Sequence, residues 1–171
     1  MNSEPLFRSQ RFHVERLKYE TRLGEEMTKD VVRHPGSVAI VPVLDNGQIC
    51  LIRNRRVTVN ETLLEIPAGT MEPPEPPETC AYRELIEETG YRADKVELIT
   101  TFFPAPGILD EKMFLYLATG LQLGKHAREK GEEIENEIVS LDEAMKLIES
   151  GEIHDAKTML GLMFLERKNS K

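Results

Sequence analysis

The stretch between Pro77 and Gly90 constrains this chain more than any other. It reads PETCAYRELIEETG. A proline in the first turn and a glycine just past the end predict a helix over 77–89. Within it Glu84, Glu87 and Glu88 stand at i, i+3 and i+4, so their carboxylates share one face. Like charges at these spacings destabilise a helix by about a few tenths of a kcal/mol per pair. A hard divalent cation reverses that sign, because Mg²⁺ and Mn²⁺ prefer oxygen ligands. Magnesium is held by few carboxylates and keeps positions for substrate phosphates, so the face points to phosphate chemistry. Arg83 and Glu87 also form an ordinary i,i+4 pair, and the helix taken alone reads equally as a solvated face carrying Glu88 toward water. The flanking residues separate the two readings.

Gly69 follows a short strand-like run, LLEI at 63–66, and Glu75 lies six residues later. Together with the helix these positions spell Gly-x5-Glu-x7-Arg-Glu-Leu-x-Glu-Glu-x-Gly over residues 69–90. The pattern resembles the Nudix box, the signature of the Nudix hydrolases, with Gly69, Glu75, Arg83, Glu84, Glu87, Glu88 and Gly90 all present. Two features depart from it. Tyr91 occupies an ordinarily aliphatic position, and the loop carries Pro73-Pro74-Glu75-Pro76-Pro77. The resemblance implies an α/β fold, an α/β/α sandwich with a mixed β-sheet. It also implies hydrolysis of a nucleoside diphosphate linked to another moiety. By the same resemblance, divalent metal (Mg²⁺ or Mn²⁺) is held through Glu84, Glu87, Glu88 and the backbone carbonyl of Ala68. Arg83 orients the carboxylates with Glu75 as its partner, and Gly69, Glu75 and Gly90 shape the motif. Metal neutralises the repulsion between pyrophosphate and nucleophile and acidifies water.

Features outside the box resemble the ADP-ribose pyrophosphatase branch of the family. They are LEIPAG at 64–69, His34-Pro35-Gly36, and Phe103-Pro104-Ala105-Pro106-Gly107 leading to Glu111. The resemblance implies cleavage of ADP-ribose to AMP and ribose 5-phosphate. It implies that Glu111 and the Gly107 turn meet the substrate and that Arg56 contacts the phosphates, with Arg53 and Arg55 as alternatives. A glutamate of the loop Gly131-Glu132-Glu133-Ile134 is implied as general base and metal neighbour: Glu132, with Glu133 next. The branch also forms homodimers through N-terminal strands, and Phe12 or Tyr19 could stack on adenine.

The rest of the chain agrees with one domain over its 171 residues, with no repeat or composition break. Residues 11–33 read as two strands around a turn at Leu23-Gly24. Their apolar positions are sparse, which suits pairing with a second copy and marks 1–33 as a dimerisation segment before a catalytic core over 34–171. Asn46-Gly47 between SVAIVPV and QICLI predicts a hairpin. Strands are expected at 95–103, 113–119 and 137–140, a polar loop over 121–136, and helices at 142–149 and 155–167. In the last helix Met159, Leu162, Met163 and Leu165 are candidate core positions.

Lys plus Arg number 22 and Asp plus Glu 30, a net charge of −8. That balance argues against nucleic acid or an anionic membrane as partner. Cys50 and Cys80 lie in apolar or small-residue stretches and read as buried, reduced thiols. Without a signal-like start or a long apolar window, the expectation is a cytoplasmic protein acting on a small-molecule nucleoside diphosphate sugar. Two alternatives stand beside ADP-ribose hydrolysis: action on another nucleoside diphosphate sugar, and a non-catalytic nucleotide-sensing module.

Overall fold

A computed structural model describes residues 2–124 and 133–170. The chain opens with strands β1 (Asn2–Arg8), β2 (His13–Glu20) and β3 (Glu26–Arg33), which form an antiparallel sheet of their own. The turn expected at Leu23-Gly24 joins β2 to β3, with Gly24 at φ 81°. Strand β1 was not expected. Its residues are exposed on both faces, so no inside–outside alternation marks it, and only pairing with β2 makes it a strand.

Then come β4 (Ser37–Pro42), β5 (Ile49–Arg56), β6 (Glu61–Glu65), β7 (Ala68–Thr70) and helix α1 (Pro77–Thr89). After them follow β8 (Tyr91–Phe102), β9 (Met113–Leu123), β10 (Ile134–Val139), α2 (Leu141–Glu149) and α3 (Ala156–Asn169). One sheet is mixed, in the order β7-β4-β9-β8 with β4 parallel to β9; the other is antiparallel, in the order β10-β5-β6. The Asn46-Gly47 turn forms, but the strands it joins part company after a single bridge, Val43 to Ile49, and enter different sheets. Strand β4 and the apolar first half of β5, Ile49 to Ile52, are buried on both faces, as strands covered on two sides are.

Strand β4 is the middle layer of the sandwich. Val38 and Ile40 face a core shared with Cys80, Ala81 and Leu85 of α1. Ala39 and Val41 face the opposite core, shared with Ala144 of α2 and Leu162 and Leu165 of α3. The period-two alternation of a strand thus places helices on both faces. Met163 of α3 departs from expectation: it is 49% exposed, because its place on the helix turns it away from the sheet. Gly161 is where α3 lies closest to the sheet. A Cβ there would stand 2.9 Å from Val41 Cγ2 and 3.2 Å from Ile66 Cδ1. Gly161→Val is expected to cost about 1–3 kcal/mol through overpacking, read as a lower urea midpoint with the m-value unchanged.

The ends of α1 match the sequence reading. Pro77 stands in its first turn, and Gly90 at φ 78° closes it with an N–H to the Ile86 carbonyl at 2.9 Å. Strand β8 begins at once at Tyr91, four residues earlier than the apolar pattern suggested. The stretch read as a loop from 121 contains the end of β9 and the start of β10. Among the described residues no helix is long and apolar enough to cross a membrane.

Candidate active site

Helix α1 presents two stripes. Its apolar stripe enters the core, and its acidic stripe packs against β7. Glu88 is only 4% exposed, and its carboxylate accepts the Ala68 N–H at 2.8 Å. Glu84 is buried as well, directly over Gly69. This corrects the solvent-facing placement of Glu88: the motif glycine lets the strand approach so closely that the carboxylates are enclosed between helix and strand. A Cβ on Gly69 would sit 1.9 Å from Glu84 Cδ. Gly69 is needed for that approach rather than for an unusual backbone angle.

Arg83 organises the carboxylates. Its Nε and Nη2 donate to the two oxygens of Glu75, each at 3.0 Å, as the pairing with Glu75 expected. Its Nη1 donates to Glu84 at 2.7 Å and to Glu87 at 2.8 Å. The guanidinium holds the Glu75 carboxyl below the usual carboxylate range, and its own pKa is raised, first through Glu75. Nη2 also reaches Cys80 Sγ at 3.2 Å, yet burial pushes that thiol up to about 12, so Cys80 stays protonated and is no nucleophile. Cys50 and Cys80 are both free and buried.

Among the described residues no three acidic or histidine side chains already converge at metal-ligand distance. The donor set nonetheless fits a hard divalent cation. One guanidinium faces Glu75, Glu84 and Glu87, with Glu88 enclosed beside them, so the cluster carries an excess of carboxylate oxygens around one positive centre.

The acidic stripe forms one wall of a cavity of about 910 Å³. Glu84, Glu87, Glu88 and, from just before β10, Glu133 line it. Glu132 lies outside the described residues. The same cavity is lined by arginines from distant parts of the chain: Arg11, Arg33, Arg55 and Arg56. Strand β5 carries three candidate arginines, and the structure separates them. Arg53 pairs with Glu137 and, at 3.5 Å, with Glu152, away from the cavity. Arg55 lines the cavity and donates to Asn60 at 2.6 Å. Arg56 lines it too, held by Glu65 through two bonds at 2.8 and 2.7 Å. Phe12 lies in the cavity wall, its ring 6.0 Å from that of Phe7, whereas Tyr19 lines a separate hollow of the N-terminal sheet.

Glu111 and Gly107 are not among the residues lining the cavity. Glu111 accepts a hydrogen bond from Ser37 and stands 3.6 Å from His34 Nδ1, behind the lining residue His34. Gly107 belongs to an exposed turn in which the Ile108 N–H bonds the Ala105 carbonyl. That loop docks on β3, where the Val32 N–H bonds Ile108 and the Asp110 N–H bonds Val32. Residues the sequence reading did not single out also line the cavity. Glu72 is the third residue after the motif glycine, and Arg33 precedes the His-Pro-Gly turn. An acidic side chain inside the motif loop was a usable signal for the first; nothing local marked the second.

A cavity lined by a carboxylate cluster and by several arginines, mounted on an α/β/α sandwich, fits a metal-assisted hydrolase of phosphate anhydrides. The NUDIX domain matches residues 33–161, and the chain belongs to that family. It is 41% identical over 149 residues to the ADP-ribose pyrophosphatase of Bacillus subtilis (strain 168), covering 86% of this chain and 80% of that one. It is 34% identical over 145 residues to the methanol dehydrogenase activator of Bacillus methanolicus, covering 84% and 78%. Among solved structures, the crystal structure of an ADP compounds hydrolase superposes with a TM-score of 0.85 at 25% identity. That match covers 98% of this chain and 91% of the other. Nudix hydrolases generally require a divalent metal, in keeping with the donor set.

Proposed function

We propose that this protein hydrolyses the pyrophosphate of ADP-ribose to AMP and ribose 5-phosphate, with Mg²⁺ or Mn²⁺ as its metal. The observation that carries the reading is a single cavity lined both by the box carboxylates and by Arg56 with its neighbouring arginines. Its volume suits a nucleotide sugar. The names of the Bacillus subtilis relative and of the superposed hydrolase point to the same substrate class.

The roles follow from the chemistry of each group. Glu84, Glu87, Glu88, the Ala68 carbonyl and Glu132 would hold the cation. When bound, the cation supplies neutralisation of the pyrophosphate oxygens and a lowered pKa for water. Arg83 keeps the carboxylates apart and oriented through its bonds to Glu75, Glu84 and Glu87. Arg56 offers its charge to the phosphates, and Phe12 offers adenine an apolar floor. Glu132 or Glu133 accepts the proton of the attacking water; the presence of Glu133 in the cavity lining supports this segment. Glu111 and the Gly107 turn do not line the cavity, so a role of Glu111 on the substrate's ribose side would run through His34, which lines the cavity and stands 3.6 Å from Glu111.

We further propose one Nudix domain whose residues 1–33 serve dimerisation and whose residues 34–171 form the catalytic core. Supporting this are the start of the family match at residue 33 and the exposure of Leu6, Phe7, Phe12, Leu23 and Met27 on the N-terminal sheet. Free thiols and net acidity suit the cytoplasm and a partner list without nucleic acid or membrane.

The test is AMP release from ADP-ribose, NADH, GDP-mannose and diadenosine polyphosphates, with either metal or a chelator. ADP-ribose is expected to be the best substrate, and chelation to abolish turnover. A preference for GDP-mannose or another member of the panel would replace the substrate assignment, and nucleotide binding without turnover would favour a sensing role. In the same assay, neutralising the general base, as Glu132→Gln or Glu133→Gln, is expected to lower kcat at least about 10²-fold and KM far less.

A further inference from the structure

The roles assigned so far leave one buried carboxylate unused. Glu65, at the end of β6, is 1% exposed. Such a charge is tolerated only where cations meet it, and two do. Arg56 donates through Nε at 2.8 Å and Nη2 at 2.7 Å, and Lys157 Nζ donates to the same Oε2. Lys157 belongs to the first turn of α3, 92 residues along the chain, and its Nζ also donates to Asp155 at 2.9 Å. The neighbouring Thr158 accepts the Ile66 N–H at 2.9 Å and donates to Asp155 at 2.5 Å. Asp155 is itself the cap of α3, accepting the Thr158 N–H at 3.0 Å. The start of α3 therefore grips the chain just before Pro67 and Ala68.

The fork to Glu65 uses two of the three guanidinium nitrogens of Arg56. Among the described residues nothing accepts a hydrogen bond from the third, Nη1, and Arg56 lines the cavity. Lys157 is itself shared with Asp155, so the four charges balance; what the lysine adds is a second anchor on Oε2 that fixes the Glu65 carboxylate, and with it the fork that holds Arg56.

We propose that Lys157 is a positioning residue for substrate binding: acting through Glu65, it fixes the Arg56 guanidinium so that its third nitrogen is held ready for a phosphate oxygen. This rests on the reading of Arg56 as a phosphate contact. It makes the C-terminal helix part of the substrate site, although Lys157 itself does not line the cavity.

A double-mutant cycle in steady-state kinetics with ADP-ribose tests it on the full chain. Lys157→Gln is expected to raise KM about tenfold, the worth of one charge-assisted hydrogen bond, with kcat within about threefold. Lys157→Arg should restore KM. In an Arg56→Gln background, Lys157→Gln should change KM no further. A purely structural lysine would lower the melting temperature and leave KM alone. An unchanged KM for folded Lys157→Gln, or additive effects in the double variant, overturns the proposal. If Lys157→Gln does not fold, Glu65→Gln enters the same cycle with the same expectations. A normal KM for Arg56→Gln overturns the phosphate reading and this proposal together, whereas a raised KM there beside an unaffected Lys157→Gln overturns only the positioning role.

Discussion

Glu88→Gln is expected to leave the protein folded and to reduce turnover about 10³-fold. The fold should hold because the substituted oxygen can still accept the Ala68 N–H, which Glu88 accepts at 2.8 Å. The glutamine also fills the same buried volume between α1 and β7. Turnover should fall because one anionic oxygen donor leaves the set that would hold the cation. Loss of several kcal/mol of transition-state charge stabilisation corresponds to about that factor. Two further readouts follow from electrostatics. Glu84 and Glu88 are like charges at i,i+4, so in the absence of metal the variant should melt no lower than the parent. Added Mg²⁺ or Mn²⁺ should raise the melting temperature of the parent by mass action and that of the variant much less. Near-normal kcat together with an undiminished metal-induced shift would remove Glu88 from the metal site.

Gly69→Ala should be nearly as damaging, by a different route. The new methyl would lie 1.9 Å from Glu84 Cδ and 2.0 and 2.2 Å from its two oxygens. All three atoms are the end of one side chain, so Glu84 moves and the backbone stays. The cost to stability is that of modest overpacking, about 1–3 kcal/mol. The cost to catalysis is larger. Glu84 must move by an ångström or more, abandoning its 2.7 Å bond to Arg83, and displacements of that size cost on the order of 10²-fold in rate. Measured kcat/KM and a thermal melt separate the two costs. Activity within about fivefold of the parent would show that the position of Glu84 does not govern the reaction.

Much of this was legible in the chain because the information is local. The bounds of α1 rest on Pro77 and Gly90, which act on their own backbone. The reading of Gly69, Glu75 and the Arg83 cluster as one unit also held, since the side chains that meet are at most 15 residues apart. What failed locally failed for a reason of packing. The Asn46-Gly47 turn formed, but a turn sets only the reversal of the chain and not whether the two strands stay together. An acidic helix face was readable as to side but not as to burial, because exposure depends on how near the next element comes, and here a glycine admits β7.

The amino-acid sequence by itself determined the family, the helix, the carboxylates on one of its faces, and the two-sided apolar strand at the centre of the sandwich. Propensity, capping and periodicity act over a few residues, so each can be read along the chain. Only the tertiary structure decided that Arg56 rather than Arg53 reaches the cavity, that Phe12 rather than Tyr19 does, and that Glu111 stands behind His34. It alone joined Lys157 to Glu65 across 92 residues. Those meetings depend on which layers pack together and on the register of strands in different sheets, and no window of sequence contains both partners.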